Sequence, residues 1–382
     1  MLVRLLLLLA ATASVAAVAA LAAPSRGTAA PDAYCGPAGG AATASVDTGL
    51  QELFRTYGDD PEPGHWTGAD TTNSVLLPDG RDLWIFSDTF LGTVNPDETR
   101  APWPETPLVN NTDVLMDHGK LKRTLVGGTL HDPAALLAPA DPSHWYWQND
   151  GTVEGNHLRV FIEEWEHTGS GIFDFAPVGD RIASFSLPDL QLESIVDAPS
   201  EVAGGPIYWG AGMMEDGGYT YVYGSEDHGA DKYAHVARVP SGHLLDFGQW
   251  QYWTGSAWSG DPMQSARLLD GVENEFSVTH VSTGYMLVTM DGSTFFGNEI
   301  YAYFSCSPTG PFGDATPLYA APGGGTRGFL FVYNAHLHPE LTNDDGFLVT
   351  YNENSFTAQD LYDDVNVYRP KFIRVSIPGV TP

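Results

Sequence analysis

Short runs of alternating apolar and polar residues, paired around Gly, Asp or Asn turns, recur five times along this chain. Alternation with a period of two, rich in β-branched and aromatic residues and broken by turn formers, is the signature of a β-hairpin. The first pair is Thr72–Leu77 and Leu83–Phe86, around Pro78-Asp79-Gly80. The second joins Tyr146–Val153 to Leu158–Ile162, and the third joins Ile207–Met214 to Tyr219–Tyr223. The fourth is Phe276–Val281 with Tyr285–Thr289, and the fifth is Ala335–His338 with Phe347–Tyr351. Their starts lie about 60 to 80 residues apart, and further strand-like runs such as Arg181–Ser186 and Glu299–Phe304 fill the intervals. Two inner and two outer strands per repeat make a four-stranded blade, so the pattern predicts an all-β, five-bladed β-propeller over residues 46–382. A β-sandwich or jelly roll would not repeat a similar hairpin at such regular spacing. Helical periodicity is nearly absent, with one short helix expected over Thr48–Tyr57.

The start of the chain breaks this pattern. Arg4 precedes an unbroken run of Leu, Ala, Val and small residues from Leu5 to Ala20, and Ala20-Leu21-Ala22 offers a small-x-small cleavage site. These features predict a signal peptide over residues 1–22 rather than a membrane anchor. A Gly/Ala/Pro/Ser-rich leader over residues 23–45 is then expected to be flexible. The expected product is a secreted, extracellular monomer with no membrane contact after cleavage. Cys35 and Cys306 are the only cysteines. In an oxidising compartment they either pair, tying the leader to the body, or remain separate thiols; sequence gives no distance between them. A formal charge of −31 excludes nucleic acid and anionic membranes as partners, since both require a basic face. Acidic surface charge keeps an exported protein soluble, so it says little about cations.

Hairpin geometry then selects candidate chemistry. The start of a hairpin's first strand and the end of its second lie at one end. In a propeller these positions converge on one rim. They are Asp70 and Asp88; Trp147, Asp150 and Glu163-Glu164-Trp165-Glu166; Trp209 with Glu226-Asp227-His228; Glu273, Glu275 and Asp291; and His336 with Asn352 and Asn354. Carboxylates with tryptophans suit a sugar hydrolase, in which rings stack on sugar faces and two carboxyl groups flank the scissile bond. Asp70, opening the innermost strand of the first repeat, is the candidate base or nucleophile. Asp88 returns beside it, placed to tune its pKa. Trp147, Trp209, Asn352 and Asn354 are candidate substrate contacts. Each has a plainer reading: Asp150 beside Gly151 fits a turn residue, Glu275 fits an acidic loop, and tryptophans commonly pack between blades. Trp84 is assigned to such packing. No H-E-x-x-H, G-x-S-x-G, Walker or dinucleotide motif occurs.

Several segments also resemble a known group. Trp66-Thr67-Gly68-Ala69-Asp70, Phe86-Ser87-Asp88-Thr89-Phe90-Leu91-Gly92, Trp209-Gly210-Ala211-Gly212, Tyr351-Asn352-Glu353-Asn354-Ser355 and Tyr368-Arg369-Pro370-Lys371-Phe372 resemble secreted bacterial propeller families first catalogued as domains of unknown function. A related group is the endo-D-arabinanase family of glycoside hydrolases, and a wider likeness is to arabinanase and xylosidase propellers. The resemblance implies a glycosidase acting on a furanose-containing polysaccharide, best matched by arabinan. It implies Glu275 as general acid and Asp150 as the residue that orients substrate or tunes the acid; the D-arabinanase likeness instead implies Asp70 and Asp88 as the catalytic pair. It also implies a Ca2+ ion in the central channel near His336, against which stands the reading of His336 and His338 as structural histidines. Fold likeness does not establish chemistry. A non-catalytic carbohydrate-binding or cell-surface propeller is the alternative, and a lyase or phosphodiesterase lacks the basic groups that an anionic substrate needs.

Overall fold

The computed structural model describes residues 35–60, 64–129, 131–171, 174–294, 297–322 and 329–382. The segment read as a signal peptide, and the leader up to residue 34, lie outside them. All five expected hairpins form. Their inner and return strands are Asn73–Leu76 with Asp82–Phe86, His144–Glu154 with His157–His167, Gly205–Asp216 with Tyr219–Asp227, Phe276–Val281 with Gly284–Met290, and Leu330–Asn343 with Gly346–Ser355. The third hairpin shows the sequence logic plainly. Asp216 pairs with Tyr219 across Gly217 and Gly218, whose φ values of +56° and +81° give the tight turn that suits twisted strands.

Each hairpin continues antiparallel into a third and a fourth strand. The third strands are Thr112–Asp117, Phe175–Ser186, Lys232–Pro240, Glu299–Ser305 and Lys371–Ser376. The fifth sheet takes its outer strand from the other end of the chain: Thr43–Val46 pairs with Lys371–Ser376. The last residues of the expected flexible leader are therefore ordered sheet. The inner strands touch in cyclic order, first to second through to fifth, and the fifth also touches the first.

Apolar residues on both faces of these sheets fill the seams. Leu83 and Ile85 meet Val160 and Ile162; Phe161 meets Ile207 and Trp209; Tyr223 meets Phe276; Val288 meets Val349. The seam between fifth and first sheets gathers Trp84, Phe86, Leu348 and Phe372. Over it lies the expected helix, Thr48–Gly58, capped by Asp47, whose side chain accepts the Leu50 N–H at 3.0 Å. Its Phe54 sits 5.1 Å from the Trp84 ring and 4.8 Å from Phe372. Full burial of each such ring stabilises the fold by roughly 1.5–3 kcal/mol. Trp84 is the packing residue expected of it.

Cys35 and Cys306 are joined in a disulfide, with Cα atoms 5.1 Å apart across 271 residues of sequence. The bond fastens the start of the described chain to the loop after the fourth sheet's third strand.

Candidate active site

Between strands His65–Ala69 and Asn73–Leu76 the backbone makes an unusual bend. Thr71 and Thr72 have φ values of +70° and +59°. A β-branched residue in the left-handed region is strained, and such strain persists only where surroundings fix it, commonly at functional sites. Here Thr71 Oγ1 donates to Glu275 Oε1 at 3.1 Å. Asn352 Nδ2 donates to Thr72 Oγ1 at 3.0 Å and to the Ala69 carbonyl at 3.3 Å. The bend thereby holds Asp70 against the fourth and fifth sheets.

Asp70 Oδ2 accepts the hydroxyls of Tyr333 and Tyr368, each at 2.7 Å. Its Oδ1 is buried with no protein partner. Burial raises the Asp70 pKa to about 6, against the opposing pull of the two tyrosines. Asp88 accepts the Trp147 indole N–H at 2.8 Å and Asn110 at 3.1 Å. Burial and then repulsion from Asp70 raise it to about 7, so the two titrate as a pair. Glu275 is raised well above the usual carboxyl range, by burial first and by Asp70 next, and its Oε2 is buried without a partner.

A cavity of about 330 Å³ joins Asp70 and Glu275, while Asp88 sits behind its wall, bonded to Trp147, and does not line it. Asp70 and Glu275 line it, with Glu163, Asp227, Trp147 and Trp165. Glu163 accepts Asn149 at 2.7 Å and the Trp165 indole at 3.1 Å, and burial raises its pKa to about 7. Trp147, Trp165 and Phe175 form an aromatic wall, with ring centroids 5.1 to 5.3 Å apart. Asp70, at about 6, favours the ionised form near pH 7, while burial and Asp70 favour the protonated form of Glu275; acid–base cleavage of a glycosidic bond requires one carboxyl group of each kind.

Other expected residues lie elsewhere. Asp150 lines a second cavity of about 480 Å³ with His336 and Glu340. It lies in a bulge within strand His144–Glu154 rather than in a turn, and its oxygens accept the N–H groups of Gly151 and Met213, both at 2.7 Å, so it ties the second sheet to the third rather than joining Asp70 and Glu275. Trp209 is a correction too. It is wholly buried, packed 6.1 Å from Trp250 and 5.9 Å from Tyr252, so its ring offers no face to a sugar. Asn352 is buried in the bend described above, and Asn354 Nδ2 donates to the Tyr333 hydroxyl at 3.1 Å. Both support the Asp70 setting, and neither lines the Asp70 cavity.

His336 is buried, burial lowers its pKa to about 3, and its Nδ1 has no partner. Yet among the described residues no group of three or more His, Cys, Asp or Glu side chains is placed to hold a metal ion. Ca2+ prefers six to eight oxygen ligands. Both Asp150 oxygens are bonded to backbone, and burial raises Asp150 and Glu340 to about 7, which opposes an ionised ligand set. These residues do not fit a calcium centre.

Rim counting placed Glu163 at the site without giving it a role, and it did not reach Tyr333 or Tyr368. Glu163 pairs directly with Trp147 across the second hairpin, the register that rim counting uses. Tyr333 precedes the expected start of the fifth hairpin, because the strand begins at Leu330 rather than Ala335.

The fold and site now have a setting among known proteins. The chain resembles a candidate hydrolase from Bacteroides ovatus, at 20% identity over 87% of this chain and 90% of that one, with a TM-score of 0.71. It also resembles an endo-arabinase from Bacteroides thetaiotaomicron, at 10% identity over 82% and 95%, with a TM-score of 0.50. These likenesses define an all-β, propeller-type fold of the kind found in glycoside hydrolases. The chain belongs to the family described as a domain of unknown function, DUF5005, whose profile matches residues 51–377. A comparison with curated protein sequences finds no match.

Proposed function

We propose that this protein is a secreted glycoside hydrolase acting on a furanose-containing polysaccharide, with arabinan, including the D-arabinan of cell-wall arabinogalactan, as the leading substrate. The observation that carries this reading is the pairing of Asp70 and Glu275 in one cavity, each with an oxygen lacking a protein partner, beside the wall of Trp147 and Trp165. Asp70 acts as base or nucleophile and Glu275 as general acid. Burial raises the proton affinity of Asp70, Asp70 in turn raises that of Asp88, and Tyr333 and Tyr368 orient Asp70. The five sheets, whose inner strands touch in cyclic order, support a five-bladed propeller. The apolar start of the chain supports export, and the Cys35–Cys306 bond is in keeping with an oxidising compartment.

Incubation of the purified protein with arabinan and arabinogalactan tests the proposal. Release of oligosaccharides or arabinose, lost in a folded Asp70→Asn variant, is the expected result. Binding of these polymers without turnover would replace it with a carbohydrate-binding role.

A further inference from the structure

Glu163 lines two cavities. Beside the one that holds Asp70 and Glu275 lies another of about 260 Å³, between the second and third sheets. A local irregularity of the backbone shapes it. Glu164 pairs with Gly179 and Trp165 with Pro177, so Val178 is an extra residue without a partner across the ladder. A bulge of this kind re-aims side chains and recurs next to active sites. Val178 is 41% exposed, unusual for a valine beside a core strand, and lines this second cavity. Across from it Tyr208 stacks on Trp165, with rings 5.5 Å apart and 15° from parallel. Trp165 thus forms the wall of one cavity while backing the aromatic ring of the next.

The chemistry of the lining narrows the occupant. Val178, Pro206 and Tyr208 offer apolar surface, while Ser200 offers a hydroxyl and Glu163, Asp180 and Glu201 offer carboxyl partners. Apolar and aromatic surface set beside several hydrogen-bonding groups matches a sugar ring, which has one CH face and a rim of hydroxyls. Neither cavity has a Lys, Arg or His in its lining, which disfavours uronic acids and phosphorylated sugars.

We infer that this second cavity binds the adjoining residue of a neutral glycan chain, so that the protein selects oligosaccharides over single-sugar glycosides. The inference rests on the reading of the Asp70–Glu275 cavity as a glycosidase site, and names the length of chain that site takes. Two variants fill the pocket without touching the core: Val178→Trp, at an exposed position, and Ser200→Trp. The measurement is the ratio of kcat/KM for arabino-oligosaccharides of four residues to that for an aryl arabinoside. The wild-type ratio is expected to exceed about tenfold, within what one buried sugar ring contributes, and to fall towards one in both variants. A wild-type ratio near one, or an unchanged ratio in both filled variants, overturns the inference and leaves the hydrolase reading standing. Calorimetric titration of the Asp70→Asn variant with the same oligosaccharides separates binding from chemistry. Affinity that rises with chain length and is lost on Val178→Trp retains the second cavity even where no bond is cleaved, whereas affinity indifferent to length removes it.

Discussion

The hydroxyl of Tyr368 tests how Asp70 is tuned. It donates to Asp70 Oδ2 at 2.7 Å, from a buried ring whose own pKa is pushed well above its usual value, so it remains a proton donor at any working pH. A hydrogen bond to a charged group contributes roughly 1.5–3 kcal/mol, and one to the neutral carboxyl about 0.5–1.5. Only the difference, on the order of 1–1.5 kcal/mol, acts on the ionisation equilibrium, and 1.36 kcal/mol is one pKa unit. Tyr368→Phe removes a partner of the charged form, so the Asp70 pKa rises by about 1 unit from its value of about 6. Because the base must be ionised, activity is then lost at higher pH on the acid side. The assay is the pH profile of kcat/KM on arabinan, which reports ionisations of the free enzyme. The acid limb should move up by about 1 unit in Tyr368→Phe, and by about 2 units when Tyr333→Phe, which removes the matching 2.7 Å bond, is added. An acid limb that stays in place or moves down would refute the assignment of Asp70 as the base held by these tyrosines.

Further consequences follow for stability and for the aromatic wall. Asp113 is buried against Gln148 alone, and burial raises its pKa to about 7. A folded-state pKa raised above the unfolded value of about 3.9 gives stability that is full below that value and lost as pH rises through 7. Asp113→Asn should therefore flatten the fall in Tm between pH 4.5 and pH 8, a contribution of up to about 3 kcal/mol; an identical fall in both proteins would contradict this. Replacing both Cys35 and Cys306 by Ser opens a loop of 271 residues and should lower stability by about 2–4 kcal/mol, read as a Tm drop of several degrees. An unchanged Tm would show that the strand Thr43–Val46 holds the start of the chain unaided. Trp147→Ala removes both a wall of the cavity and the 2.8 Å bond to Asp88, so kcat/KM on arabinan should fall by about 100-fold or more, with kcat lowered and KM raised. A variant within twofold of wild type would remove Trp147 from the site.

Much of the fold can be read from alternation and turns. Asp216-Gly217-Gly218-Tyr219 specifies its own tight turn, and runs such as Phe276–Val281 can only be strands. Asp70 and Glu275 were also within reach, since Glu275 immediately precedes the strand Phe276–Val281 and Asp70 lies in the short bend that leads into Asn73–Leu76. What alternation cannot carry is the bulge. The ladder of the second hairpin skips from Gln148 to Gly151, and that of the fifth skips from Tyr333 to His336. Counting by twos fails across these interruptions. Asn149 and Asn334, inside the bulges, line the Asp70 cavity, whereas Asp150 and His336 line the other one. Trp209 misleads for a related reason. It immediately precedes the third hairpin's bulge at Gly210 and Ala211, and its ring turns into the seam with Trp250 instead of the cavity. Tyr368 comes from a short 3-10 helix before the last strand, a position no hairpin rule reaches.

The central claim is that Asp70 and Glu275 together cleave a glycosidic bond, and product release from arabinan by wild type, Asp70→Asn and Glu275→Gln tests it most directly. The account predicts oligosaccharide release by wild type and a loss of about 1,000-fold or more in each folded variant, with Glu275→Gln retaining more activity on substrates whose leaving group needs no proton. Full activity in either variant, or no release from any neutral glycan by the wild-type protein, would contradict it.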